Sequence, residues 1–142
     1  GAGTIFITCS PQAVKNAPAQ IAINPVVGPE VVTGSTRMKA GTATKLVLNL
    51  LTTTAMIKMG KVYGNLMVDL MATNNKLRDR SLRIVSQMTG LSKTKAASLL
   101  KDAKGKVKAA IVMHFRNVDL REAEDILNQF GESLRKAIGP VK

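Results

Sequence analysis

The spacing of apolar residues along this chain changes twice, and each change predicts a different kind of element. Thr4-Ile5-Phe6-Ile7-Thr8 is a short β-branched run ending at Cys9-Ser10-Pro11, which predicts a buried strand. Ile21-Ala22-Ile23, closed by Asn24-Pro25, predicts a second strand, and Pro11 to Gln20 leaves room for a helical turn or an irregular connection. Strands this short do not make a stable sheet alone. They read as the last strands of a larger parallel sheet whose earlier strands this chain does not contain. From about Thr36 the spacing turns helical. Leu46, Leu50, Leu51, Met56 and Met59 are joined by Val47, Leu48, Ala55 and Ile57, so apolar residues cover most of the circumference. Such a helix is expected to be buried in a larger assembly or interface. Gly60 and Gly64 interrupt it. Helical spacing is read again through Leu66, Met67, Leu70 and Met71, then through Leu77, Leu82, Ile84, Val85 and Met88 up to Gly90.

After Gly90 the pattern becomes short amphipathic segments with clear punctuation. Ser92 is placed to cap a helix over Lys93 to Ala103 with Ala96, Leu99 and Leu100 as its apolar stripe, and Gly105 precedes a segment from Val107 to Phe115. Asp119-Leu120-Arg121-Glu122 has capping-box spacing and opens a helix through Ala123, Ile126, Leu127 and Phe130 to Gly131. A last turn is expected around Leu134 and Ile138. Three short helices with tight connections predict a bundle of roughly 45–50 residues, small for independent stability and expected to dock.

Composition narrows the class. The 142 residues suffice for one sizeable core, or a modest core with a small appended bundle. A hydrophobic share of 45% with 21% charged residues fits a globular chain, and with aromatics at 3% the core must come from aliphatic residues and Met. A single cysteine, Cys9, excludes an internal disulfide framework and fits a reducing compartment. The apolar start lacks a basic n-region, so no secretory signal is read. Leu46 to Ile57 is too short and too polar, with Asn49 and Thr52-Thr53-Thr54, to cross a bilayer. A cytoplasmic protein without a membrane partner is therefore expected. The net charge of +12 could mark a nucleic-acid binder. Its cations concentrate between Lys76 and Lys108 without interleaved aromatics, and residues 119–132 are mainly acidic, so a solvated basic face is the better reading.

Candidate chemistry concentrates in Gly28-Pro29-Glu30-Val31-Val32-Thr33-Gly34-Ser35-Thr36-Arg37-Met38-Lys39-Ala40-Gly41-Thr42-Ala43. Arg37 and Lys39 stand at the start of a helix, where the partial charge is positive and anions are favoured. Unfilled backbone N–H groups, the Ser35 and Thr36 hydroxyls and these two cations would make an anion site, most simply for phosphate. The alternative is an ordinary Ser/Thr cap with its cations in water. Glu30 is the only carboxylate in the first 68 residues. It is open to two readings: a local ion pair or loop hydrogen bond, or a group that binds sugar hydroxyls or exchanges protons with them. His114, within an apolar run, lacks a nucleophile or carboxylate partner, and Cys9 reads as an inert core thiol. Asn65, Asp69, Asn74, Arg78, Asp79 and Arg80 read as a polar helix face with i,i+4 pairing. No metal-ligand cluster and no cofactor motif is present in the sequence.

The same loop residues resemble the signature shared by bacterial N-acetylmuramic acid 6-phosphate etherases and the glucokinase regulatory protein. The resemblance runs on through Leu48-Asn49, Gly60-Lys61-Val62-Tyr63-Gly64-Asn65-Leu66-Met67-Val68-Asp69 and Ala72-Thr73-Asn74 to Lys76-Leu77-Arg78-Asp79-Arg80. The etherase branch fits better. The resemblance implies an α/β fold: the C-terminal part of a three-layer α/β/α sugar-isomerase (SIS) sandwich, with two short parallel strands plus long helices. A small all-helical bundle resembling ubiquitin-associated (UBA) domains follows. In these terms residues 1–75 belong to the sugar-phosphate-binding domain, 76–90 to a connecting helix and 91–142 to the helical domain.

Family enzymes cleave the D-lactyl ether of N-acetylmuramate 6-phosphate by elimination and hydration, giving N-acetylglucosamine 6-phosphate and D-lactate without a metal or other cofactor. The resemblance implies that Glu30, Ser35, Thr36, Arg37 and Lys39 line the sugar-phosphate pocket near a homodimer interface. The family's acid and base glutamates and its phosphate loop belong to the N-terminal half, and nothing here matches those motifs. No catalytic residue is therefore assigned, and the polypeptide alone is expected to be inactive. Two other classes stay open: a non-catalytic sugar-phosphate-binding regulatory module and a basic nucleic-acid-binding helical protein.

Overall fold

The computed structural model describes residues 1–139. In chain order the elements are β1 (Ile5–Ile7), α1 (Pro11–Val14), β2 (Ile21–Ile23), α2 (Lys39–Lys58), β3 (Val62–Tyr63), β4 (Leu66–Met67), α3 (Asn75–Thr89), α4 (Lys93–Asp102), α5 (Val107–Arg116), α6 (Leu120–Gln129) and α7 (Leu134–Ile138). The chain is mainly helical with a few short strands. It divides into two compact units, Gly1–Thr54 and a second that begins at Ala55, so the division falls within α2.

In the first unit β1 and β2 pair in parallel, with Ile5 opposite Ile21, Phe6 opposite Ala22 and Ile7 opposite Ile23. Parallel neighbours need a crossover connection, and α1 with the loop after it supplies one. The first strand was expected to be buried, but Ile5 is 47% exposed, and Ile21 of the second is 54% exposed. α2 is the helix expected to be buried in a larger assembly or interface. It has no buried residue, and Leu46 and Leu50 are 57% and 67% exposed. β-branched and leucine-rich patterns report what a segment is built to bury, and nothing within this chain covers these faces among the described residues.

The second unit holds the core. Ile111 and Val112 of α5 are fully buried against Ile84 and Val85 of α3, Leu127 of α6 and Leu134 of α7. Each such side chain stabilises the fold by about 2 kcal/mol relative to exposure. The caps read from the sequence at Ser92 and Asp119 are present, and Asn74 adds one that was read as part of a polar helix face. Asn74 accepts the Leu77 N–H at 2.9 Å, Ser92 accepts that of Lys95, and Asp119 and Glu122 form a reciprocal capping box. Gly90 ends α3 at φ +71°, the left-handed conformation favoured just past a helix.

The helix read through Leu66 and Met71 is not there. Residues 62–67 form an antiparallel hairpin, with Val62 opposite Met67 and Tyr63 opposite Leu66. The polar helix face divides accordingly. Asn65 sits in the hairpin turn, Asp69 follows β4 and Asn74 caps α3, while Asp79 and Arg83 make the one i,i+4 ion pair found there, at 3.1 Å.

Candidate functional site

The loop before α2 is shaped by a turn in which the Ser35 N–H donates to Val32 O at 3.0 Å, with Gly34 at φ +84°. That reversal brings Glu30 back to the helix start. Its Oε2 accepts the Lys39 N–H and its Oε1 the Ala40 N–H, both at 3.0 Å. The next two N–H groups are also taken, Gly41 by Thr36 O and Thr42 by Met38 O, each at 3.0 Å. A helix start leaves four N–H groups without intrahelical partners. Here the Lys39, Ala40 and Gly41 N–H groups find partners in the preceding loop, and Thr42 makes the first regular helical bond, so none of these is open to a ligand. The anion at this helix start is the Glu30 carboxylate itself. The Ala40 N–H, then the Lys39 N–H, with a smaller share from the Lys39 charge, hold its carboxyl below the ordinary value of 4.5, against a slight opposing effect of desolvation.

Beside this clamp lies an open cavity of about 740 Å³, wholly within the first unit. Its polar wall comes from Thr8, Ser10, Glu30 and Thr36, and from Thr44, Lys45 and Asn49 on one face of α2. Of the residues singled out from the sequence, Glu30 and Thr36 line it, whereas Ser35, Arg37 and Lys39 do not. Arg37 and Lys39 are exposed and Ser35 is half-buried. Lys45 was given no role from the sequence, and Asn49 was read as an interruption of an apolar run and as part of the resemblance. Their one-turn spacing, in step with Thr44, is the signal that could have placed them here.

Cys9, expected as a core thiol, is partly exposed and lines the same cavity, its Sγ 3.7 Å from Ala40 O. His114 is exposed and meets the Phe115 ring edge-on, with centroids 5.2 Å apart. Among the described residues no three His, Cys, Asp or Glu side chains are grouped to hold a metal ion, and no helix is long and apolar enough to cross a membrane.

The second unit contains an ion cluster that sequence reasoning missed. The buried Lys108 Nζ pairs with Asp69 at 3.3 Å and with Glu132, and Asp69 also pairs with Lys61 at 3.1 Å. Partial burial works to raise the Asp69 pKa. The hydrogen bond from Lys61 and the charge and hydrogen bond of Lys108 outweigh it, so the carboxyl lies below its ordinary 3.8. The cluster joins the residues flanking the hairpin to α5 and to the segment between α6 and α7. Its geometry is that of a structural tie.

Residues 64–108 match the family model of the C-terminal lid domain of glucokinase regulatory protein. Across nearly the whole chain the similarity is to proteins named N-acetylmuramic acid 6-phosphate etherase. The relative from Escherichia coli (strain SMS-3-5) is 53% identical over 138 residues, which are 97% of this chain and 46% of the relative. The relative from Picosynechococcus is 50% identical over 138 residues, with the same coverages of 97% and 46%. The relative from Pasteurella multocida is 50% identical over 142 residues, 100% of this chain and 47% of the relative. The chain thus spans about half the length of the curated relatives it matches. At 50–53% identity over 97% or more of its length, from β1 through the Glu30 loop to the terminal helices, the chain is similar to about half of each of these N-acetylmuramic acid 6-phosphate etherases.

Proposed function

We propose that this chain carries a sugar-phosphate-binding part of a carbon–oxygen lyase that cleaves the D-lactyl ether of N-acetylmuramate 6-phosphate. The observation that carries this reading is the cavity beside the Glu30 clamp, where hydroxyl, amide, carboxylate and ammonium groups share one wall. A phosphorylated amino sugar offers the matching set: ring hydroxyls, an acetamide and an anionic ester. In this reading Glu30, Ser35, Thr36, Arg37 and Lys39 belong to the binding loop. Glu30 and Thr36 line the cavity, and the other three are their neighbours along the loop.

Elimination across the ether requires a base at the sugar C2 proton and an acid at the departing lactate oxygen, and water then adds. Glu30 is poorly suited to either role as it stands. Both of its oxygens accept backbone N–H groups, and a carboxylate held ionised in this way orients a ligand better than it shuttles a proton. No other carboxylate lines the cavity among the described residues, so the acid and base come from groups outside this lining. The same reading includes an SIS-type sandwich to which residues 1–75 contribute, a connecting helix at 76–90, and a UBA-like helical domain at 91–142. It also includes pairing of two copies and a cytoplasmic site of action.

The match of residues 64–108 to a regulatory protein's lid domain favours a second reading, a sugar-phosphate-binding module without catalysis. Amide chemical-shift titration of the chain tests both. Saturable shifts confined to residues 7–10 and 27–49 on adding N-acetylglucosamine 6-phosphate support the cavity as the binding site, and their absence overturns it. Tighter binding of N-acetylmuramate 6-phosphate than of sugar 6-phosphates lacking the lactyl group favours the etherase reading. Equal binding favours the regulatory one.

A further inference from the structure

Charge in the cavity is unbalanced in an informative way. Of the side chains lining it, Glu30 is the one carboxylate, and it is already committed to the Lys39 and Ala40 N–H groups. Lys45 is the one cation in the lining, and no carboxylate pairs with it among the described residues. It stands one turn before Asn49 on α2 and next to Thr44, so an ammonium, an amide and a hydroxyl face the same space. Arg37 and Lys39, the cations that the sequence put forward, lie outside this lining.

Resting on the sugar-phosphate reading of this cavity, we infer that Lys45 is the residue that pairs with the ligand's anionic group. That group is a phosphate monoester or a carboxylate carried by the sugar. Thr44 and Asn49 supply neutral hydrogen bonds beside it. An ammonium makes charge-assisted bonds to either anion, and these are roughly twice as strong as neutral ones. Sharing the cavity with a carboxylate whose lone pairs are already used keeps Lys45 available. Were Glu30 not held by backbone, the two side chains could neutralise each other across the cavity and leave little for a ligand.

Calorimetric titration of the full chain with three probes separates the possibilities: N-acetylglucosamine 6-phosphate, N-acetylmuramate without phosphate, and neutral N-acetylglucosamine. Lys45→Met is expected to weaken an anionic probe about tenfold or more while leaving the neutral sugar unchanged. Lys45→Arg should retain most of the affinity. Lys58→Met, which removes the same charge from the same helix outside the cavity, should behave as wild type. Loss confined to the 6-phosphate identifies phosphate as the partner, and loss confined to N-acetylmuramate identifies the carboxylate. Unchanged binding of both anionic probes by Lys45→Met overturns the assignment, as does loss on Arg37→Gln or Lys39→Gln alone. Failure of the wild-type chain to bind any of the three overturns the cavity reading itself, and the assignment with it. Lys45 is exposed, so thermal melts should show the variant folding as wild type.

Discussion

Glu30 satisfies two backbone N–H groups that the start of α2 would otherwise leave to solvent or to a ligand. The geometry carries a pH dependence whose sign is fixed. Because the folded carboxyl titrates below 4.5, its contribution to the loop is complete above about that pH and is lost as pH falls through the folded value. An NMR titration should therefore place the Glu30 carboxyl midpoint below 4.5, with amide exchange at Lys39 and Ala40 accelerating as it protonates. Glu30→Gln should show that faster exchange already at neutral pH. A midpoint at or above 4.5, or unaltered exchange in the variant, would contradict the clamp. The residue could be singled out from the sequence as an isolated carboxylate, but its partners could not. They lie nine and ten positions away, and only the turn through Val32, Gly34 and Ser35 brings them within reach. The electrostatic argument for an anion at this helix start was sound. What the sequence left hidden was that the chain itself provides the anion.

Elements defined by short-range chemistry were legible, and those defined by long-range contact were not. Ser92 and Asp119 announce their helices because a cap is settled within four residues. The β3–β4 hairpin was lost because Leu66, Met67, Leu70 and Met71 repeat at helical spacing. The better signal was Gly64-Asn65 between Val62-Tyr63 and Leu66-Met67, a two-residue turn with positive φ at its first position. The hairpin's other end depends on Gly60. At φ +70° a side chain there is strained, and a Cβ would lie 2.5 Å from Glu132 O. Gly64 has φ +58° with open space around the missing Cβ. Gly64→Ala should therefore cost only the left-handed penalty of about 1–2 kcal/mol. Gly60→Ala should cost more, about 3 kcal/mol, because the chain must also part from the Glu132 backbone and loosen the Lys108–Glu132 pair. Urea unfolding of the two variants checks the order, and equal losses would show that the close approach at Gly60 carries no weight.

On the scale of the whole molecule, apolar burial is distributed unequally, and composition concealed this. The buried hydrophobic residues described here run from Val68 to Ile138, all in the second unit, and none belongs to Gly1–Thr54. The first unit carries comparable apolar content in β1, β2 and α2, but displays it, with Val31 at 81% exposure and Leu50 at 67%. Burial is the main term offsetting the entropy of ordering a chain. Secondary structure without it opens easily, because local opening free energies scale with buried apolar contact. Hydrogen exchange should accordingly separate the two units in the isolated chain. Amides in β1, β2 and the part of α2 up to Thr54 are expected to exchange at least about a hundredfold faster than those of α5, which is buried along most of its length. Substitution in α5, for example Ile111→Ala, should accelerate exchange throughout the second unit and leave the first nearly unchanged. Protection of α2 equal to that of α5 would mean that something covers its apolar face in solution. In that case sedimentation should show association, and Leu46→Lys with Leu50→Lys should abolish both the association and the protection.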